Sequence, residues 1–84
     1  MPVQHVLVNT GLQVNDTMLI TSETSDNDLL CANACDAQPG CEAFSYDKAI
    51  QQCRMYLMDS QHWYFADYQV LDAANANLAF WDRV

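Results

Sequence analysis

Residues 31–57, CANACDAQPGCEAFSYDKAIQQCRMYL, hold all four cysteines of the chain, and their setting decides how the fold is read. Leu30, Cys31, Ala34, Cys35 and Ala37 recur at helical spacing, so one helix is expected to bury both cysteines on a single stripe. Its start is expected at Ser25, which stands three residues before Asp28 as a weak capping box. Its end is expected at Pro39-Gly40, because Pro39 disfavours helical geometry at Gln38 and Gly40 tolerates positive φ. Asp26 and Asp28 favour the helix N-terminus through its dipole; a calcium loop would need alternating carboxylates to follow, and none do.

The runs Cys41–Tyr46 and Cys53–Met58 carry aromatic and sulfur-bearing residues at alternate positions and are joined by the polar stretch 47–52, which predicts a β-hairpin. In the simplest register Cys41, Ala43, Ser45, Cys53, Met55 and Leu57 face the helix, and Phe44, Tyr46, Tyr56 and Met58 face away. All four cysteines then converge on one helix–sheet interface, where three disulfide pairings are open. Linking Cys31 to Cys35 would staple a helix to itself with nearly parallel Cβ vectors, a poor fit to disulfide geometry. Of the two pairings that remain, the nested one is our expectation: Cys31 with Cys53 and Cys35 with Cys41, loops worth roughly 3 and 2 kcal/mol in the chain-entropy model. The rival readings are four reduced core cysteines or a zinc site. Zinc ligands usually come as close-set pairs, whereas Cys41 and Cys53 stand alone, so no metal and no cofactor is expected.

Working outward, Val3–Thr10 alternates with period two and predicts a strand that contains His5. Gly11–Thr24 reads as polar, broken chain; within it Asn15-Asp16-Thr17 matches the N-glycosylation acceptor pattern, which makes Asn15 a candidate modification site. Beyond the hairpin lies an aromatic segment, His62-Trp63-Tyr64-Phe65 with Tyr68, and Leu78–Val84 resembles a closing strand that pairs with the one near Val6.

The chain has 84 residues, 51% hydrophobic and 17% charged, which suits one small globular domain over 1–84 and excludes a disordered tail. A core of this size leaves little net stability, so covalent restraint is expected. Three Lys and Arg against eleven Asp and Glu leave a net charge of -8, which repels phosphate backbones and argues against nucleic-acid partners. Apolar runs such as Val6-Leu7-Val8 and Met18-Leu19-Ile20 fall far short of the roughly 20 residues of a membrane-spanning helix, so no membrane insertion is expected. No basic and then apolar stretch follows Met1, so a signal peptide is not expected within these residues.

The spacing Cys31-x3-Cys35-x5-Cys41-x2-Phe44-x-Tyr46-x6-Cys53-x3-Leu57 resembles the core of the PAN/Apple domain family, in its shorter four-cysteine PAN type. The Pro39-Gly40-Cys41 turn, the Ala43-Phe44-Ser45-Tyr46 run and a last strand with an aromatic before Arg83 match the same family. The resemblance implies an α+β fold, one α-helix packed on a curved antiparallel β-sheet, with Cys31 bonded to Cys53 and Cys35 to Cys41. It also implies an extracellular or secreted setting and a non-catalytic module that binds a protein or carbohydrate ligand. Binding residues vary within the family, so none is carried over by position.

The candidates for ligand contact are Arg54, His62, Trp63, Tyr64 and Tyr68, since Trp, Tyr and Arg combine large contact area with polar handles. Arg54 and Lys48 are two of only three positive charges. Phe44, Tyr46, Phe65 and Phe80 are expected in the core, while Trp63, Tyr64 and Tyr68 divide between core and surface. No catalytic residues are expected, because His5 and His62 belong to no recognisable motif and oxidised cysteines are not nucleophiles. A competing expectation is a structural subunit of an extracellular assembly or filament, self-associating through terminal strands and an aromatic surface.

Overall fold

A computed structural model describes residues 5–83, so Val3, Gln4 and Val84 of the two expected terminal strands lie outside the described residues. The helix, α1, runs Asp28–Ala37, and Asn27 caps it by accepting a hydrogen bond from the Leu30 N–H at 2.9 Å. Ser25, the expected cap, belongs to the sheet side of the junction: its N–H donates to the Gln51 carbonyl and its own carbonyl accepts from the Tyr46 hydroxyl at 2.6 Å. The buried stripe is rotated accordingly. Cys31, Ala32 and Cys35 are buried, whereas Leu30 and Ala37 are exposed, because the turns that face the sheet are those that carry the disulfides. Gln38 is extended, as a residue before proline must be, and Gly40 takes a φ of 82°.

The strands are β1 (His5–Thr10), β2 (Leu12–Val14), β3 (Leu19–Thr24), β4 (Ala43–Asp47), β5 (Gln52–Tyr56), β6 (Gln69–Leu71) and β7 (Leu78–Arg83). A short helix, α2 (Phe65–Tyr68), precedes β6. Five strands form an antiparallel sheet in the order β1-β7-β4-β5-β3, and β2 pairs with β6 in a separate ribbon. The first and last strands are neighbours, with His5 opposite Arg83. The stretch 11–24 is more regular than its polarity suggests: it supplies β2, a 3-10 turn at Asp16–Met18 and the edge strand β3. None of the β3 residues is fully buried; Leu19 and Ile20 pack against the two cores at its start, and residues 21–24 are held by backbone pairing to β5 without hydrophobic alternation.

The hairpin forms, but its two strands are offset by one residue from the expected register. Ala43 lies opposite Tyr56 and Tyr46 opposite Cys53, which places Phe44, Tyr46, Cys53 and Met55 on the helix side and Ala43, Ser45, Arg54 and Tyr56 on the other. The turn decides this. Asp47 pairs with Gln52 around four residues, its carboxylate accepts from the Ala49 N–H at 3.0 Å, and Gln51 takes a φ of 54°. A shift of one residue exchanges every side chain between faces.

The sheet therefore has a core on each side. Under α1 lie Cys31, Cys35, Cys41, Cys53, Phe44, Tyr46 and Met55; beneath the β2–β6 ribbon and α2 lie Leu12, Val14, Tyr56, Met58, Phe65 and Phe80. All four aromatics expected to be internal are buried, with Phe44 and Tyr46 on the helix side rather than opposite it. Two disulfides clamp the first core, Cys31–Cys53 and Cys35–Cys41, with Cα–Cα separations of 5.5 and 5.4 Å. Every cysteine is thereby oxidised. Gly11, at φ 66°, ties the ribbon to the main sheet: its N–H donates to Leu78 and its carbonyl accepts from Asp72. A Cβ there would lie 2.5 Å from the Asp72 carbonyl oxygen.

Candidate binding surfaces

The aromatic segment is carried on the face of the sheet opposite α1, and two anchors hold it. Ser60 donates from its N–H to Asp82 Oδ1 at 2.8 Å and from its hydroxyl to Asp82 Oδ2. Five residues on, Phe65 is buried with its ring 5.5 Å from that of Phe80. Between the anchors, Asp59 accepts from the Gln61 N–H at 3.0 Å and the His62 carbonyl accepts from the Phe65 N–H. His62 stacks on Tyr64 at 5.3 Å, and Tyr64 meets Trp63 and Tyr68 edge-on at 5.1 and 5.7 Å. Trp63 is 91% exposed at the outer end of this cluster. An indole so fully hydrated, on a loop pinned at both ends, is a preordered apolar contact surface.

Four of the five residues singled out for ligand contact thus meet in one cluster. The fifth, Arg54, is turned inward. Its Nε donates to the Tyr56 hydroxyl at 3.0 Å, its guanidinium reaches the Val14 carbonyl and pairs with Asp16, and it lies 5.8 Å over the Tyr56 ring. Burial opposes the charge of Arg54, but the hydrogen bonds it donates to Asp16 and Tyr56 outweigh it and hold the guanidinium pKa above its ordinary value. Arg54 therefore fastens the 3-10 turn to β5. Asn15 caps that turn, its side-chain oxygen accepting from the Thr17 N–H at 2.9 Å, and its own N–H donates to the Tyr68 carbonyl. The acceptor triplet thus adjoins the aromatic cluster.

A second concavity opens on the helix side of the sheet. A cavity of about 310 Å³ lies between the start of α1 and the strands, lined by Asp26, Asn27, Asp28, Tyr46, Lys48, Ala76, Asn77, Ala79 and Trp81. A shallower one of about 260 Å³ continues past Asp28 and Trp81 to Leu29, Ala32, Phe44 and His5. Trp81 stacks on Phe44 at 5.1 Å, and His5 meets Phe44 edge-on at 5.2 Å. His5 Nε2 lies 3.1 Å from Asp36 Oδ1, a close contact without the alignment of a hydrogen bond, and Arg83 Nε approaches the same oxygen at 3.6 Å. Burial, with help from Asp26, Asp28 and Asp47, raises the Tyr46 phenol pKa, so the group stays a neutral donor. Sequence reasoning did not find this groove. Its walls meet only because Phe44 pairs with Trp81 and Tyr46 with Ala79 across β4 and β7, contacts between residues more than thirty apart in the chain.

A disulfide-clamped α+β scaffold that presents aromatic side chains to solvent defines a class of small display domain. The profile of the PAN domain family matches residues 6–78, and the chain belongs to that family. A comparison with curated proteins finds no match. PAN domains are in general non-catalytic modules that bind proteins or carbohydrates, and disulfide-bonded members are typical of extracellular proteins. No helix among the described residues is long and apolar enough to cross a membrane.

Proposed function

We propose that this chain is a single non-catalytic extracellular interaction domain that captures a protein or glycan ligand on the aromatic cluster His62, Trp63, Tyr64 and Tyr68. The observation that carries the reading is Trp63, 91% exposed on a loop fixed by Ser60 and Phe65. Covering this indole removes apolar surface from water while the loop, already ordered, loses little further entropy on binding. The net charge of -8 selects partners that are neutral or basic over acidic ones. Asn15, beside Tyr68, is the candidate glycan acceptor, and a sugar chain there would border the cluster. The test is a binding screen of the wild-type domain and Trp63→Ala against arrayed glycans and arrayed extracellular proteins. Hits lost in Trp63→Ala support the reading, and hits indifferent to Trp63 overturn it.

One observation favours a second reading, a subunit that pairs with its own copies. Strand β1 is an edge of the sheet, carries no Lys, Asp or Glu, and exposes Val6, Leu7 and Val8, the kind of edge that invites strand addition. Sedimentation over a rising concentration series decides it: a persistent monomer removes this reading.

A further inference from the structure

The groove between α1 and strands β4 and β7 lies on the opposite face of the sheet from Trp63 and plays no part in the function proposed above. We propose that it is a second binding site, which takes one hexopyranose ring that bears no acid group. Its floor is aromatic and already ordered. Trp81 rests one side on Phe44 in a stack 15° from parallel, and Tyr46 is locked by its hydrogen bond to the Ser25 carbonyl. An indole held in this way offers an apolar, electron-rich surface to the C–H face of a sugar at little entropic cost. Ala76 and Ala79 present only methyl groups to the cavity, which leaves clearance above the floor.

Around that floor stands a rim of both acceptors and donors, as a polyol requires. Asp26 and Asp28 offer carboxylate oxygens, Lys48 an ammonium and Asn77 a side-chain amide, and among the described residues none of these four side chains is taken up by an internal hydrogen bond or ion pair. Asn27 has spent its oxygen on the helix cap, so its amide N–H groups are what it can give. The volume, about 310 Å³, is at the lower end of the range for small-ligand sites and suits one ring rather than a chain. Beyond Trp81 the shallower cavity provides the exit for a glycosidic substituent. Two carboxylates against one ammonium disfavour uronic, sialic or sulfated sugars.

The composition supplies its own assay, for the chain has two tryptophans, one on each face. In ¹H–¹⁵N spectra the indole N–H of Trp81 reports on the groove and that of Trp63 on the aromatic cluster. The labelled chain is titrated with methyl glucoside, galactoside, mannoside and N-acetylglucosaminide, with glucuronate as the acidic counterpart and glycerol as a control. The expected result is saturable movement of the Trp81 indole with at least one neutral pyranoside in the millimolar range, and binding of glucuronate weaker by about tenfold or more. Asn77→Ala and Asp28→Ala, both on the rim, should each weaken that sugar by about tenfold while the remaining peaks stay in place. No Trp81 movement with any pyranoside at about 50 mM, equal movement with glucuronate or with glycerol, or rim variants that bind as the wild type does would overturn the proposal. Movement of Trp63 alone would overturn it too, and would at the same time support the aromatic cluster as a sugar surface.

Discussion

Removing the bridge between Cys31 and Cys53 should cost more stability than removing the one between Cys35 and Cys41, and loop length sets the difference. The first pair is 22 residues apart and the second 6. The chain-entropy relation converts these separations to about 3.4 and about 2.2 kcal/mol at 25 °C. All four cysteines are fully buried, so the cavity left by trimming sulfur to methyl is similar for both pairs and largely cancels in the comparison. A chain of 84 residues has a net stability of about 4–13 kcal/mol, so losing the longer bridge removes a quarter or more of it. The assay is urea unfolding, followed by tryptophan fluorescence, of the Cys31→Ala/Cys53→Ala and Cys35→Ala/Cys41→Ala double variants beside the wild type. The long-bridge variant should be the less stable of the two by about 1 kcal/mol. Equal losses, or a larger loss from the short bridge, would refute the view that these disulfides act mainly by restricting the unfolded chain.

Gly11→Ala should destabilise by about 3 kcal/mol, since it adds a left-handed penalty to a clash with the Asp72 carbonyl, whereas Gly40→Ala, whose Cβ would meet only Leu57 Cδ2 at an ordinary contact distance of 3.6 Å, should cost about 1 kcal/mol; thermal unfolding ranks the two. Ser60→Ala removes a hydrogen bond to a buried carboxylate, so a loss of about 1–2 kcal/mol and faster amide exchange across 61–64 are expected by hydrogen-exchange mass spectrometry. Arg54→Met takes one of two hydrogen-bond partners from the Tyr56 hydroxyl, which keeps Ser45 at 2.9 Å, and releases the Asp16–Met18 turn, with an expected loss of about 1 kcal/mol in urea unfolding and no loss of binding at Trp63. The raised Tyr46 pKa predicts alkaline sensitivity. The unfolded phenol ionises near about 10 while the folded one keeps its proton, so stability is intact below that pH and falls as pH rises through the folded value. Urea midpoints across this range should slope downward, and Tyr46→Phe should flatten the slope.

How much could be read before folding varies from residue to residue. The α1 boundaries were legible to within a few positions because Pro39 and Gly40 act on their own neighbours, but the cap fell to Asn27 since Ser25 had been claimed by Gln51 and Tyr46. The aromatic cluster was legible as composition: His62, Trp63, Tyr64 and Tyr68 lie within seven consecutive residues, and a short helical turn brings them together. Strand β3 was not, because after Leu19 and Ile20, which pack on the two cores, its polar residues 21–24 are held by backbone pairing and leave no alternation to read. Arg54 looked like an anchor for a partner, and only the approach of Asp16 and the Val14 carbonyl, from nearly forty residues away, turned it inward.

Local chemistry in the chain alone was enough to establish an α+β domain in which a cysteine-bearing helix lies against a hairpin and the first and last strands pair. Cysteine spacing, proline, glycine and period-two alternation act over a few bonds and need no distant partner. The hairpin register, the division of side chains between two cores, the inward turn of Arg54 and the groove beneath Trp81 were decided by the assembled molecule. Each depends on how a turn sets the offset of two strands, or on which backbone arrives from thirty or forty residues away. A one-residue change in that offset would keep the same elements and exchange every face they present.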